Sequence, residues 1–175
     1  MLGQLLGALA TILIVLASQA SPSPDGLAQI GMFGANTGTT RNIDVAPVVL
    51  KSVTVRSIDT IDAITFVYLD GNGKEHKVGP WGGTLGYDHT FNLTTNEYVK
   101  EVSGTYGPFP TQKLPLTVNS LIFVTSRGIR YAFGTPGASD TKFNVPLEKG
   151  SIVGFSARAD NFVLPLASTF ARNMH

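Results

Sequence analysis

Two aspartates, Asp59 and Asp62, punctuate the run Ile58-Asp59-Thr60-Ile61-Asp62, and glycine clusters recur at Gly34 to Gly38 and at Gly82 to Gly86. A close carboxylate pair can accept hydrogen bonds or move protons, but glycoside hydrolysis also needs an acidic partner across a cleft, and none is evident. Taken alone, Asp59 and Asp62 read equally well as surface carboxylates that solubilise a strand end. The glycine clusters are not phosphate loops, because no Gly-Lys-Ser/Thr follows them and no helix starts there; on their own they read as hairpin turns. Asp70-Gly71-Asn72 opens like a calcium loop, yet Lys74 and Glu75 stand where a ligand and the essential glycine belong, so calcium is rejected. His76, His89 and His175 lack metal spacing and any accompanying nucleophile motif, and read as surface residues. The chain has no cysteine, which excludes disulfides, thiolate ligands and a cysteine nucleophile. No metal, cofactor or catalytic group is therefore expected. Among the aromatics, Trp81 could stack on a ligand, but Phe33 and Phe133 occupy the same place in related segments, which favours core packing. Tyr106 and Phe109 are the better candidates for a contact at a rim, with a turn stiffened by Pro108 and Pro110 as the plainer reading.

The elements that must carry these residues are strands. Glycine reaches 19 residues and proline 10 while charged residues are only 14% of the 175-residue chain, a balance that suits short strands and tight turns in one domain. Lys plus Arg is 13 against 12 for Asp plus Glu, so no net field favours nucleic acid or an anionic membrane. Val53, Val55 and Ser57 alternate with Thr54 and Arg56. Ala63 to Leu69 is β-branched and aromatic, and Asp70-Gly71-Asn72-Gly73 closes it as a hairpin turn. Tyr98 to Val102, Ser120 to Thr125, Arg130 to Phe133 and Ser151 to Phe155 supply similar strands, and no stretch after residue 25 holds a helical period.

A weak internal repeat organises them. Ile30-Gly31-Met32-Phe33-Gly34 is echoed by Val78-Gly79-Pro80-Trp81-Gly82 and by Tyr131-Ala132-Phe133-Gly134, and the final glycines are each followed nine positions later by an apolar residue, Ile43, Phe91 and Phe143. Three units too small to bury their own apolar faces would pack inward around a shared core as a triangular prism; a sandwich or barrel also fits the strand pattern.

At the N-terminus, Leu2 to Ala17 is almost wholly apolar and runs into Ala17-Ser18-Gln19-Ala20, a small-residue pattern of the kind cleaved on export. Residues 1–20 read as a signal peptide, 21–26 as a linker and 27–175 as the folded domain, with secretion as the expected location. A retained membrane anchor is the alternative, since no Lys or Arg precedes the run. Asn92-Leu93-Thr94 is a glycosylation sequon that matters only in an exported chain.

The runs Ile30-Gly31-Met32-Phe33-Gly34, Val78-Gly79-Pro80-Trp81-Gly82-Gly83, Val102-Ser103-Gly104-Thr105-Tyr106-Gly107 and Ile152-Val153-Gly154-Phe155 resemble the jacalin-related lectins, especially the mannose-specific cereal members, over roughly residues 27 to 170. The resemblance implies an all-β fold, the β-prism I, with three four-stranded antiparallel sheets in pseudo-threefold arrangement. It also implies sugar binding without metal or catalysis, an extracellular role in defence or stress response, and a homodimer or higher homo-oligomer as a frequent state. Gly31 lies inside a continuous chain, whereas the galactose-specific branch is cut to free a glycine there; mannose- or glucose-containing glycans are the expected partners.

In that family a glycine-rich loop faces an aspartate-bearing loop at one end of the prism. Bare glycine lets the ring approach backbone N–H donors, while a carboxylate accepts from vicinal hydroxyls. Each contact displaces water, so its net value is about 1 kcal/mol and single-site affinity on the order of millimolar follows. By this resemblance the first site pairs Gly34–Gly38 with Arg158 to Leu164, placing Gly38, Asp160, Asn161 and Phe162 at the sugar. Asp160 replaces a family glycine and Leu164 the sugar-clamping aspartate, so this site is expected to be weakened or dead. A second site pairs Gly82–Gly86 with Ile58 to Asp62, placing Gly86, Asp59, Thr60 and Asp62 at the sugar. Ile58 stands where the family has glycine. The rival reading is a prism scaffold that has lost sugar binding and acts through protein contacts.

Overall fold

Alternation along the chain becomes sheet structure wherever one face of a strand can be buried. The computed structural model describes residues 21–22, 27–33, 38–160 and 163–171. The first strands are β1 (Ser21–Pro22), β2 (Leu27–Phe33) and β3 (Thr39–Arg41). They are followed by β4 (Pro47–Ser57), β5 (Ile61–Asp70), β6 (Glu75–Gly82) and β7 (Tyr87–Asn92). Next come β8 (Val99–Phe109), β9 (Leu114–Thr125), β10 (Arg130–Gly134) and β11 (Thr141–Pro146), and finally β12 (Ser151–Ala159) and β13 (Val163–Ala171). The signal-peptide reading of residues 1–20 lies outside the described residues. Ser21 and Pro22, within the stretch read as a linker, pair with Gln29 and Ala28 of β2.

Pairing divides the strands into three antiparallel groups of identical order: β6-β5-β4-β7, β10-β9-β8-β11 and β2-β13-β12-β3. The repeat seen in the sequence is thus a four-stranded unit, and the third copy is assembled from both ends of the described chain. A single bridge between Ile152 and Val99 joins two of the groups into one continuous hydrogen-bonded sheet. The three faces form the β-prism expected from the sequence.

The core sits on the prism axis. Phe66 of β5, Phe123 of β9 and Phe155 of β12 come one from each group, all at most 1% exposed. Phe155 packs edge-on to both others, with ring centroids 5.2 and 5.9 Å away, a geometry worth about 1 kcal/mol per pair beyond area burial. Trp81 is buried and stands edge-on to Phe66 at 5.3 Å, so it is a core residue. A second aromatic seam joins two groups: Phe91 of β7 stacks on Tyr131 of β10 at 4.2 Å and tilts against Phe123.

The Asp70-Gly71-Asn72-Gly73 turn forms as read. Asp70 Oδ1 accepts the N–H groups of Asn72 and Lys74 at 2.8 and 3.0 Å, closing the β5–β6 hairpin. His76 departs from the reading as a plain surface residue. Its Nε2 lies 2.8 Å from Asp70 Oδ2 and its ring stacks on Tyr68 at 5.1 Å, and this contact holds the Asp70 carboxyl below its ordinary pKa. His89 is exposed; His175 lies outside the described residues.

Candidate functional site

Because each group runs in the same strand order, the loop pairs β4–β5 with β6–β7 and β8–β9 with β10–β11 gather at one end of the prism, together with the corresponding strand ends of β12 and β13 and of β2 and β3. The first pair encloses a pocket of about 120 Å³ lined by Ile58, Asp59, Thr60, Asp62, Leu85, Gly86, Phe109, Thr111 and Gln112. All four residues assigned to the second site therefore meet in one place.

Asp62, the second residue of β5, is only 2% exposed, and neither of its carboxylate oxygens has a hydrogen-bond partner. An unpaired buried carboxylate is costly because it gives up hydration without replacement. Burial accordingly pushes the Asp62 pKa up; the Leu85 N–H and the charge of Arg56 offset part of the shift, although that amide does not reach hydrogen-bond geometry. Arg56 is itself held away, donating through Nε and one Nη to both oxygens of Asp88 at 2.8 and 3.0 Å. The inner wall of the pocket thus carries the Asp62 carboxylate, a hydrogen-bond acceptor.

The loops around it are fixed by backbone contacts. Thr60 is buried, and its hydroxyl donates to the Val118 carbonyl of β9 at 2.8 Å. The Thr135 N–H donates to the Asp59 carbonyl at 2.9 Å, tying the β4–β5 loop to the neighbouring sheet, while Asp59 itself is exposed at the mouth. Gly86 has φ +89, and a Cβ there would lie 2.9 Å from the Ser57 carbonyl carbon. At Gly82, φ is +130 and a Cβ would lie 2.0 Å from the Asp62 carbonyl oxygen. Only glycine lets β6–β7 lie this close to the strand end that carries Asp62, so turn geometry and site geometry are one requirement rather than two competing readings.

Sequence reasoning placed the rim aromatics unevenly. Phe109 lines the pocket. Tyr106 does not: β8 continues to Phe109, and Tyr106 packs against the core with its ring centroid 6.4 Å from that of Phe143. The sequence suggests a turn stiffened by Pro108 and Pro110, whereas β8–β9 pairing carries the strand through Phe109 and the turn is the short 3-10 segment Pro110–Gln112. Thr111 and Gln112, missed in the sequence, reach the pocket because this turn belongs to the neighbouring sheet.

The other two loop pairs differ. In the first site, Gly38 has φ +91 and Asp160 is exposed beside it, accepting from the Thr39 N–H and hydroxyl at 3.2 and 2.9 Å. Asn161 and Phe162 lie outside the described residues. The second position of the central strand is Leu164 in β13 and Pro115 in β9, where β5 has Asp62. In the β10–β11 loop, Asp140 is held from within, accepting from Thr105, Asn119 and the Gly137 N–H at 2.7 to 2.8 Å.

The Jacalin-like lectin domain model matches residues 30–166. The chain belongs to the jacalin-like lectin family. Horcolin of Hordeum vulgare is 39% identical over 137 residues, covering 77% of this chain and 90% of its own length. A mannose/glucose-specific lectin of Parkia platycephala is 30% identical over 75% of this lectin, which corresponds to 27% of the longer relative. In three dimensions, a mannose binding jacalin related lectin from Ananas comosus superposes with TM-score 0.77 at 32% identity, covering 84% of this chain and 99% of that one. The artocarpin–mannotriose complex shares the fold, with TM-score 0.74 at 24% identity over 82% of this chain and 96% of that chain. Membership in this family supports carbohydrate binding by this lectin domain.

Proposed function

We propose that the chain binds mannose- or glucose-type glycans through the Asp62 pocket, without a metal and without chemical turnover. The observation that carries this reading is the buried Asp62 carboxylate, whose two bare oxygens meet a loop that only glycine allows to come so near. Vicinal sugar hydroxyls would donate to Asp62, while backbone N–H groups of the Leu85–Gly86 loop would donate to sugar oxygens and Asp59 would close the mouth. Hydrogen bonds to a charged group are each worth about 1.5–3 kcal/mol, which is enough to hold one ring weakly and reversibly. The names of the Parkia and Ananas relatives support the same sugar class.

The remaining parts of the reading follow from the sequence. Residues 1–20 act as an export signal, the domain works outside the cell in defence or stress response, and self-association supplies the avidity that a single weak site lacks. The rival, a scaffold without sugar binding, draws on Leu164; it concerns the β12–β13 loop pair and leaves the Asp62 pocket intact.

Calorimetric titration with methyl α-mannoside, methyl α-glucoside and methyl α-galactoside tests the proposal. The first two are expected to bind at millimolar level and the third more weakly, with Asp62→Asn lowering affinity at least tenfold. Binding that survives Asp62→Asn unchanged would move the site elsewhere, and no binding by the wild-type chain would favour the scaffold.

A further inference from the structure

The Asp62 pocket is small. Ligand cavities for larger molecules run to roughly 300 Å³ and above, so about 120 Å³ accommodates a single ring, and a longer glycan must leave over the rim. Ile58 forms part of that rim and is 58% exposed. It is also a wall of a neighbouring open cleft of about 300 Å³, lined by Ser57, Ile58, Tyr87, His89, Ala132, Phe133 and Gly134. The two depressions therefore share a side chain. Gly86 lines one and the next residue, Tyr87, lines the other, so their Cα atoms are about 3.8 Å apart, less than the length of one sugar ring.

The cleft lies between the edge strands β7 and β10 and has a supported floor. Phe133 sits 6.2 Å from His89 and 6.3 Å from Phe91, which belongs to the buried aromatic seam. Tyr87 is different: at 71% exposure it has the largest relative exposure among the large apolar and aromatic side chains of the described residues. Its strand is held in register by the Arg56–Asp88 bidentate pair and by Ser57 opposite Tyr87. An exposed phenol on a rigid strand, one residue beyond a sugar pocket, presents a flat face to whatever leaves that pocket.

The geometry points to an extended subsite in which the second residue of an oligosaccharide, its first ring held by Asp62, crosses Ile58 and lays its apolar C–H face on Tyr87, with His89 and the Tyr87 hydroxyl in reach of its hydroxyls. The subsite rests on the Asp62 reading and deepens it: the ligand class is a di- or longer saccharide of mannose or glucose type rather than a free monosaccharide. Ile58, which departs from the family glycine at the mouth of the pocket, becomes the ridge between the two rings.

The test is the ratio of disaccharide to monosaccharide affinity, measured by calorimetry with methyl α-mannoside, the α1→2, α1→3 and α1→6 mannobioses, and maltose. At least one disaccharide is expected to bind five- to twentyfold more tightly than the monosaccharide. Tyr87→Ala should bring that ratio close to one, and Tyr87→Phe should keep most of it. Thermal unfolding of both variants checks that the exposed side chain carries no folding role. If no disaccharide exceeds the monosaccharide, or if Tyr87→Ala leaves the ratio intact while Asp62→Asn still removes monosaccharide binding, the subsite is overturned and the Asp62 site stands. If the monosaccharide binds equally well after Asp62→Asn, both fail together.

Discussion

Asp62 is buried, and neither of its two carboxylate oxygens has a hydrogen-bond partner within the protein. A buried carboxylate without donors holds its proton to a higher pH than the ordinary carboxylate value of 3.8, and desolvation is the main cause. The folded chain thus binds more protons than the unfolded one between 3.8 and the raised pKa, so this group makes stability fall as pH rises through that window. On the proposed reading, sugar hydroxyls would donate to the charged form and pull the other way, since binding would require the proton to leave. Monosaccharide affinity is therefore expected to fall on acidification, beginning above the pH at which an ordinary carboxylate would titrate. Calorimetry between pH 7 and pH 4 in buffers of different ionisation enthalpy should show proton release on binding within that range. Asp62→Asn should abolish the proton release and leave the melting temperature at pH 7 equal to or above that of the wild type, because the amide carries no charge to desolvate. A melting temperature several degrees lower in Asp62→Asn would mean that the carboxylate is paired in the free protein and that the pocket is not waiting for a ligand.

At the level of elements, the β6–β7 loop approaches the strand end that carries this carboxylate, with Gly82 and Gly86 against the backbone of Asp62 and Ser57. Gly86→Ala places a methyl group against Ser57 in a backbone conformation with positive φ, at a cost of roughly 1–3 kcal/mol. Thermal unfolding should register that loss, and titration should show sugar affinity reduced by at least as much as in the aspartate variant. An Ala variant that melts and binds like the wild type would show that the loop does not need its close approach. Much of this element structure was legible in the chain. The Asp70–Gly73 turn, the alternation of β4 and the threefold echo of glycine-aromatic clusters are local signals, and local signals survive folding. What was not legible depended on contacts between distant segments. Tyr106 reads as a rim residue in a proline-rich stretch, but β9 pairs with it and turns its ring to the core. Thr111 and Gln112 enter the pocket only because the β8–β9 turn of one sheet leans over the β4–β5 loop of another. Asp59 and Asp62 look alike in the sequence, yet one is exposed and the other sealed, because Asp59 lies in the β4–β5 loop while Asp62 stands at the start of β5, where both faces are buried from Ile61 to Ile64.

The whole molecule repeats one architecture three times without repeating its chemistry. At the second position of the central strand the three units carry Asp62, Pro115 and Leu164, so the fold offers three equivalent ends and a carboxylate acceptor at one of them. The third end is further closed by Asp140, whose oxygens are engaged by Thr105, Asn119 and Gly137. At the first, Gly38 has positive φ and Asp160 accepts from the Thr39 N–H and hydroxyl. The proposed reading then predicts one working site per chain, and a monovalent protomer cannot bridge two glycans unless it associates with another copy. The missing acceptor can be supplied. Leu164→Asp combined with Asp160→Gly places a carboxylate at the strand position that Asp62 occupies in its own sheet and removes the Asp160 side chain. Titration of the double variant with methyl α-mannoside should move the stoichiometry from one toward two, and the double variant should cross-link mannose-coated beads at concentrations where the wild type does not. Restoring only Leu164→Asp should give a smaller gain, because Asp160 would then stand as a second negative charge near the first. A wild-type stoichiometry of two would show that the first end binds sugar without the aspartate, and the equivalence drawn between Asp62 and Leu164 would have to be abandoned.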